Sequence, residues 1–427
     1  MKNEFKKKEV WLNAYPIFLW LALEPIVGLI DSKIASVINL DTLSAIGIGE
    51  TIYFVFIWDF IFLAYGTTPL VSSLNTKNEI NKLSYFIKFG RNVSILLGLG
   101  SFLILYISSD YLISTFQPTP NIQLLSTDYL VFRCIGLPFY LVNMHSTAVL
   151  RGLKYAKITF YSSLIVSISN IFFSLFFGLF LGFGAGGIGF ASSLAFFCAS
   201  IYSTIILKKQ LNNIPSSKEA IDKPSLRKKF FSIGIYILIR SLFLTLFMAY
   251  LRNRASLMSM QEIALQHILL QLWSIGYIFV DAIAIASQTL ISELVSKKEK
   301  YQKSRLQKEL VSVTTAISFI LALITLLFLD NFVEMFGDDK FDLYIDLQLT
   351  VLVALSLFIG CYAFLWDGVL LGLDRAKEFS FLTVASSVSG FLVCTYLLRT
   401  QNTISILWIG LNVSLLFRSL LGYIYQK

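Results

Sequence analysis

Apolar residues run through this chain in blocks longer than the core of a soluble protein requires. Short polar stretches separate twelve such blocks, at 11–36, 43–73, 86–108, 124–150, 158–181, 186–208, 229–251, 260–293, 308–329, 344–372, 378–398 and 402–424. Each reaches the roughly 20 residues that an α-helix needs to cross the hydrocarbon of a bilayer. Backbone groups facing lipid must be satisfied within their own segment, so runs of this kind predict helices. A β-barrel would show short alternating segments, and these runs are too long and too uniformly apolar for that. The pattern therefore predicts an all-α integral membrane protein with twelve transmembrane helices.

Composition agrees with the pattern. Of 427 residues, 56% are hydrophobic and only 14% charged, with a mean hydropathy of +0.72. Soluble domains carry about 25% charged residues, so water is not the solvent for most of this surface. The start, MKNEFKKKEVW, is basic, but the segment after it is long enough to span and shows no small-residue cleavage site, so no secretory signal is expected. A net charge of +9 would suit a nucleic-acid partner. Its distribution argues otherwise, because 28 of the 35 Lys and Arg fall at the two termini and in the loops after every second span. The intervening loops hold only Arg252, Arg254, Lys340 and Arg399. Such alternation is the positive-inside pattern, and it puts both termini in the cytoplasm with no nucleic acid implied. Cys134, Cys198, Cys361 and Cys394 all sit in apolar blocks without metal-ligand spacing, and His145 and His267 are the only histidines, so no metal site is expected.

The chain also repeats itself. Val149–Lys157 reads VLRGLKYAK and Val369–Lys377 reads VLLGLDRAK, matching at six of nine positions across an offset of 220. The same offset sets PLVSSL (Pro69–Leu74) against TLISEL (Thr289–Leu294). Six spans per half is an even number, so both halves enter the membrane in the same sense, as a parallel pseudo-two-fold repeat. Midway lies the polar stretch LNNIPSSKEAIDKPS, Leu211–Ser225. The expected organisation is an N-lobe of six spans at 1–210, a cytoplasmic linker at 211–228 and a C-lobe of six spans at 229–427. Transporters built from parallel repeats hold substrate between such lobes and rock one against the other.

Five stretches resemble, in order, motifs of the multidrug and toxic compound extrusion (MATE) transporters, in the DinF-like branch. EPIVGLIDSKIAS is similar to the first-helix Pro-x-x-x-x-x-Asp-Thr, FLAYGTTPLV to the second-helix Phe-Leu-x-x-x-Thr-Thr, and FRCIGLPF to the fourth-helix Arg-x-x-Gly-x-Pro. IALQHILLQLWSIGYIFVDAIAIASQTLI resembles the eighth helix nearly throughout, and WDGVLLG the tenth-helix Asp-Gly-x-x-x-Gly. The resemblance implies an exporter of organic, often cationic, compounds driven by entry of H⁺ or Na⁺, with the coupling site in the N-lobe. It places the first-helix Asp at Asp31, with Pro25 at the motif's head and a further family proline at Pro16. It places the Asn of a fifth-helix Asn-x-x-x-Asp at Asn170, while the paired Asp falls on Ser174. One of the two family carboxylates is therefore absent, Lys33 is new, and Ser36 stands where Gly is usual.

The polar residues inside the spans are the candidates for chemistry. Asp31 is either an interfacial acid that reaches water or a protonatable site in a cavity, since ionisable groups within spans mark ion or substrate paths. Burial favours the neutral form of a carboxyl, and renewed contact with water lets it lose its proton. Lys33, two residues on, points away from Asp31. Asn170 is able to ligate a cation or orient a carboxylate, or to make an interhelical hydrogen bond. Ser174 lies one turn on, on the same face. Asp59 lies deeper in its span than Asp31, with Arg133 as its candidate partner, and is a candidate substitute for the missing carboxylate. Asp31, Asn170, Ser174 and Asp59 form the expected cation-coupling set. Arg133, Gln271, His267, Trp273 and Asp281 are the candidates for the substrate cavity, and Pro16, Pro25 and Asp367 for structural roles. His267 is alternatively a proton carrier or an interhelical bridge.

The function expected is a cation-coupled antiporter, H⁺ favoured over Na⁺, exporting small organic, cationic or amphipathic compounds. The alternatives are a flippase for a lipid-linked intermediate and a non-transporting, receptor-like protein. No nucleophile motif, phosphate loop or metal cluster points to an enzyme. Apart from the coupling ion no cofactor is expected. The partners are a small-molecule substrate and membrane lipid, and the protein is expected to be a multi-pass monomer of the cell inner (plasma) membrane.

Overall fold

The computed structural model describes residues 7–212, 222–255, 257–258, 260–334 and 345–426, and the side chains of Asp59, His267 and Gln271 lie outside the described residues. Among the described residues every regular element is helical. The first span is α1 (Lys7–Ile38). The second runs through α2 (Leu40–Trp58), a 3₁₀ turn at Asp59–Ile61, α3 (Phe62–Tyr65) and α4 (Thr67–Thr76). The third is α5 (Ile80–Ser114), and the fourth pairs α6 (Pro120–Cys134) with α7 (Leu137–Gly152). The fifth is α8 (Ala156–Phe173) continued by a π-helical turn at Ser174–Phe180, and the sixth is α9 (Gly184–Asn212). Then come α10 (Lys223–Ala255), α11 (Met260–Ser296), α12 (Lys300–Glu334), α13 (Leu347–Gly372), α14 (Ala376–Leu397) and α15 (Ile404–Tyr425).

Ten described helices are long and apolar enough to cross a membrane, and eleven when α6 and α7, bent by 44°, count as one span. The 32-residue α1, about 48 Å long at 1.5 Å per residue, completes the twelve. The α6–α7 bend has a local cause, because Pro138 offers no N–H to the preceding turn. Several helices outrun the apolar blocks that predicted them; the block at 86–108 becomes Ile80–Ser114. Hydropathy stops where the hydrocarbon stops, whereas a helix continues until a residue caps it. Likewise α10 begins at Lys223 with Pro224 in its first turn, so helix occupies part of the stretch expected as linker.

The repeat seen in the sequence recurs in the backbone. Asn78 and Lys298, 220 apart, both adopt positive φ, at 56° and 59°. Lys154 and Asp374, again 220 apart, do so at 67° and 65°. Each closes a helix in the same way. The N–H of Glu79 reaches the carbonyl of Leu74 and that of Glu299 reaches Leu294, while Tyr155 reaches Leu150 and Arg375 reaches Leu370. These are helix stops in which one left-handed residue turns the chain back onto the last helical carbonyls.

The described residues cluster into two compact units, Leu19–Gly234 and Met1–Phe18 with Ile235–Lys427. In the Leu19–Gly234 unit, α9 packs on α6, α7 and α8. In the other, α13 packs on α11, α12 and α15. The unit boundaries fall inside α1 and α10 rather than between helices.

Candidate functional site

Asp31 points inward from α1 and is 2% exposed. Ser174 Oγ donates to its Oδ1 at 2.8 Å. Asn170 Nδ2 stands 3.0 and 3.1 Å from the two Asp31 oxygens when the amide is oriented to donate, and its oxygen then accepts from Ser192 Oγ at 2.9 Å. The reverse orientation also has a chemistry. The amide oxygen then faces Asp31 and the nitrogen donates to Ser192 Oγ at 2.9 Å, which suits a carboxyl that carries a proton. One amide and one hydroxyl thus serve both charge states of Asp31. Ser174 opens the π-helical turn that ends the fifth span, and turns of this kind mark functional positions more often than chance. Among the described residues no cation forms an ion pair with Asp31. Lys33 is exposed, on the other side of α1.

Beside this carboxyl lies an ion pair. Arg133 donates to Glu50 Oε1 at 3.0 Å and to the Tyr129 hydroxyl, which itself donates to Glu50 Oε1 at 3.3 Å. The guanidinium lies over the Tyr53 ring, 4.5 Å from its centroid. Asp31 is within electrostatic reach of both Arg133 and Glu50. Close helix packing brings these groups together, since a Cβ on Gly189 would stand 2.4 Å from the Tyr129 carbonyl oxygen. The sequence suggested Asp59 as the partner of Arg133; the Asp59 side chain lies outside the described residues, and among the described residues Arg133 pairs with Glu50. Glu50 was legible in the sequence as an acid inside an apolar block, in IGIGETIYF, yet nothing local to it says that α6 brings Arg133 alongside.

Of the other candidates, Pro25 and Asp59 fall in the Leu19–Gly234 unit and the rest, Pro16 included, in the second unit. Asp367 takes Arg418 through Nε at 3.2 Å and through a second guanidinium nitrogen, and Arg240 at 3.6 Å. All three are buried. Asp281 senses the charges of Arg240, Asp367 and Arg418 without touching them. Arg418 was counted among the cytoplasmic charges of the C-terminus and proves to be an internal partner, 3% exposed. Arg151, counted with the loop after the fourth span, is 4% exposed and lies over the Trp20 ring. Of the expected cavity residues, Trp273 packs edge-on against Tyr277, which stacks on Phe364. The side chains of His267, Gln271 and Asp59 are outside the described residues. Pro16 is buried and Pro25 exposed, and α1 continues through both. The structure therefore brings Asp31, Asn170 and Ser174 together and places Arg133 next to them, whereas Trp273 and Asp281 belong to the other unit.

The family model described as MatE matches the chain twice, over residues 16–176 and 235–396, which is well over half its length. The chain belongs to the MatE family. The second match begins at Ile235, where the long stretch of the second unit begins. The chain is 23% identical over 428 residues to Protein DETOXIFICATION 44, chloroplastic, of Arabidopsis thaliana, covering 97% of this chain and 81% of that one. It is 22% identical over 426 residues to the Probable multidrug resistance protein NorM of Pasteurella multocida (strain Pm70), covering 96% and 91%. The solved structure described as MATE in the bent conformation superposes with a TM-score of 0.87 at 16% identity, over 98% of this chain and 94% of that one. A MOP superfamily transporter from Pyrococcus furiosus, reported with a binding pocket of reversed polarity, gives 0.86 at 15% identity, over 98% and 95%. This MatE protein is a multi-span membrane transporter of twelve helices in two six-helix lobes. Its family and fold are those of transporters that act on small molecules, rather than of enzymes.

Proposed function

We propose that this MatE protein exports small organic compounds, cationic or amphipathic, in exchange for a cation that enters through Asp31, and that the cation is H⁺ rather than Na⁺. The observation that carries the proposal is a buried carboxyl met by neutral hydrogen-bonding groups and by no ion pair among the described residues. A carboxylate that served only structure would be expected to find a cation at such depth. The preference for H⁺ follows from the ligands. Among the described residues Asp31 is the only acid in direct contact with the amide and hydroxyl, and Na⁺ wants several oxygens at once, whereas Asn170 and Ser192 fit a carboxyl with or without a proton. Coupling proceeds by alternating access of an N-lobe (1–210) and a C-lobe (229–427) joined through 211–228. The protein acts as a monomer in the cell inner membrane with both termini in the cytoplasm, without a cofactor beyond the ion and without a nucleic-acid partner. A flippase for a lipid-linked intermediate would want a strongly cationic cavity. Of the cations inside the spans, Lys33 is exposed, Arg133 pairs with Glu50, and Arg240 and Arg418 share Asp367.

Asp31→Asn is isosteric and cheaper to bury than a charge, so the variant should fold and express. In inside-out vesicles loaded by an H⁺ or Na⁺ gradient, transport of a fluorescent organic cation should lose its gradient dependence in this variant. Wild-type rates with unchanged gradient dependence would reduce Asp31 to an interfacial acid and end the proposal.

A further inference from the structure

The pair beside the coupling carboxyl poses a problem of charge. Arg133 carries a fixed positive charge within electrostatic reach of Asp31. Left alone, it would balance Asp31, and the site would have no charge to offer an incoming cation. The groups that face Asp31 are Glu50 from α2, Tyr129 and Arg133 from α6, the neutral Asn170 and Ser174 from the fifth span, and Ser192, beyond Asn170, from α9. From α1 itself, Lys33 is exposed and directed elsewhere. Glu50 is therefore the one acidic side chain besides Asp31 in this described set, and it is Glu50, not Asp31, that takes the guanidinium.

We propose that Glu50 is the positioning residue of the coupling site: with Tyr129 and Tyr53 it holds Arg133 off Asp31, so that the cluster keeps one uncompensated negative charge for one monovalent cation. The inference rests on the coupling role of Asp31 and adds what sets the charge of that site. It also accounts for a coupling site that lacks a carboxylate at Ser174. The second acid comes from α2 instead of the fifth span, but it is already matched by Arg133. The cluster of Asp31, Glu50 and Arg133 thus sums to a single negative charge, and a single proton neutralises it. The contacts have the right form for a clamp. Arg133 donates to two oxygens, on Glu50 and Tyr129, while its flat face rests on the Tyr53 ring. An arginine held on three sides in this way gives up little freedom per bond and keeps a fixed place.

The test is a charge cycle read on the purified protein in lipid nanodiscs. The infrared band of the protonated Asp31 carboxyl, assigned by its loss in Asp31→Asn, is followed against pH. Glu50→Gln leaves Arg133 free to favour the ionised carboxylate, so the midpoint should move to acid by about one pH unit. Arg133→Gln leaves two carboxylates without the cation, so the midpoint should move by a similar amount to alkaline. The double variant Glu50→Gln/Arg133→Gln should return to within about half of either shift, and the pH profile of export should follow the same order. Arg133→Lys keeps the charge but not the fork or the flat face, so its midpoint should not move to alkaline as that of Arg133→Gln does. If Arg133→Gln fails to fold, the acid shift of Glu50→Gln beside an Arg133→Lys midpoint that does not move to alkaline decides the matter. An Asp31 band that titrates indifferently to Glu50→Gln, or that moves the same way in both single variants, overturns this inference alone. Gradient-driven export that survives Asp31→Asn overturns the coupling role beneath it.

Discussion

At the scale of single residues, the molecule shows two ways of keeping charge inside a span. Asp31 is surrounded by neutral partners and stays available, whereas Asp367 is consumed by two arginines. Sequence alone expected a structural role for Asp367 from its place before Gly368, and in the structure its carboxylate holds both buried arginines. Removing it should be costly, because Arg240 and Arg418 would lose the carboxylate they share in a buried setting. Asp367→Asn is expected to destabilise the fold by about 3–5 kcal/mol, the usual penalty for stranding a buried charge. Arg240→Met, which leaves Asp367 paired with Arg418, should cost distinctly less. Thermal unfolding in detergent ranks the two, and an equal or larger loss for Arg240→Met would contradict the assignment. Asp31, Asn170 and Ser174 were each legible as polar residues in apolar blocks, and the resemblance to the MATE motifs grouped them. The parts played by Glu50, Tyr129 and Ser192 were not, although Glu50 stands out as an acid in an apolar block, because their role depends on which helix lies alongside, and that is not a local property of sequence.

At the scale of elements, the apolar blocks located helices but not their ends or their interruptions. The 3₁₀ turn at Asp59–Ile61, the bend between α6 and α7 and the π-helical turn at Ser174–Phe180 all occur inside blocks that read as continuous. Hydropathy is blind to them, because a bent span and a straight one bury the same side chains in the same lipid. The left-handed stops at Lys154 and Asp374 were equally hidden, since neither is the glycine that usually marks such a position. These stops make a paired prediction. A β-branched residue is strained there by about 1–2 kcal/mol, while glycine is not. Lys154→Val and Asp374→Val should each lower the melting temperature, and Lys154→Gly and Asp374→Gly should hold or raise it. A valine tolerated at one position but not at its partner 220 residues away would break the equivalence of the two turns.

At the scale of the whole molecule, the alternation of Lys and Arg makes a prediction about sidedness. Lys77 follows the second span and is exposed, and Asn331 lies near the end of the ninth and is exposed as well. Single cysteines at these two places, tested in intact cells with a membrane-impermeant reagent, should label from opposite faces. Lys77→Cys should be reached only from the cytoplasm. Labelling of both from one side would overturn the orientation, and with it the direction of transport. The loss of Arg418 and Arg151 from the count of loop charges leaves the bias intact, because the remaining charges still alternate.

What the sequence determined by itself was set by properties that sum along the chain. Apolar length decided that the protein lives in lipid and that it is helical, because a bilayer tolerates few other backbones. The 220-residue offset decided that one half repeats the other, and the repeat of left-handed turns at Asn78, Lys298, Lys154 and Asp374 carries that equivalence down to the backbone. The resemblance to the MATE motifs implied that Asp31, Asn170 and Ser174 belong to one site. Tertiary structure alone decided who pairs with whom. Among the described residues Glu50 emerged as a partner of Arg133, Arg418 turned inward to Asp367, and Asp31 was left to neutral donors. The physical reason is that pairing depends on the rotation and depth of one helix against another. Those are fixed by side-chain packing across residues about 80 to 140 positions apart, as Glu50 to Arg133 and Asp31 to Ser174 are, and no window of sequence contains both partners.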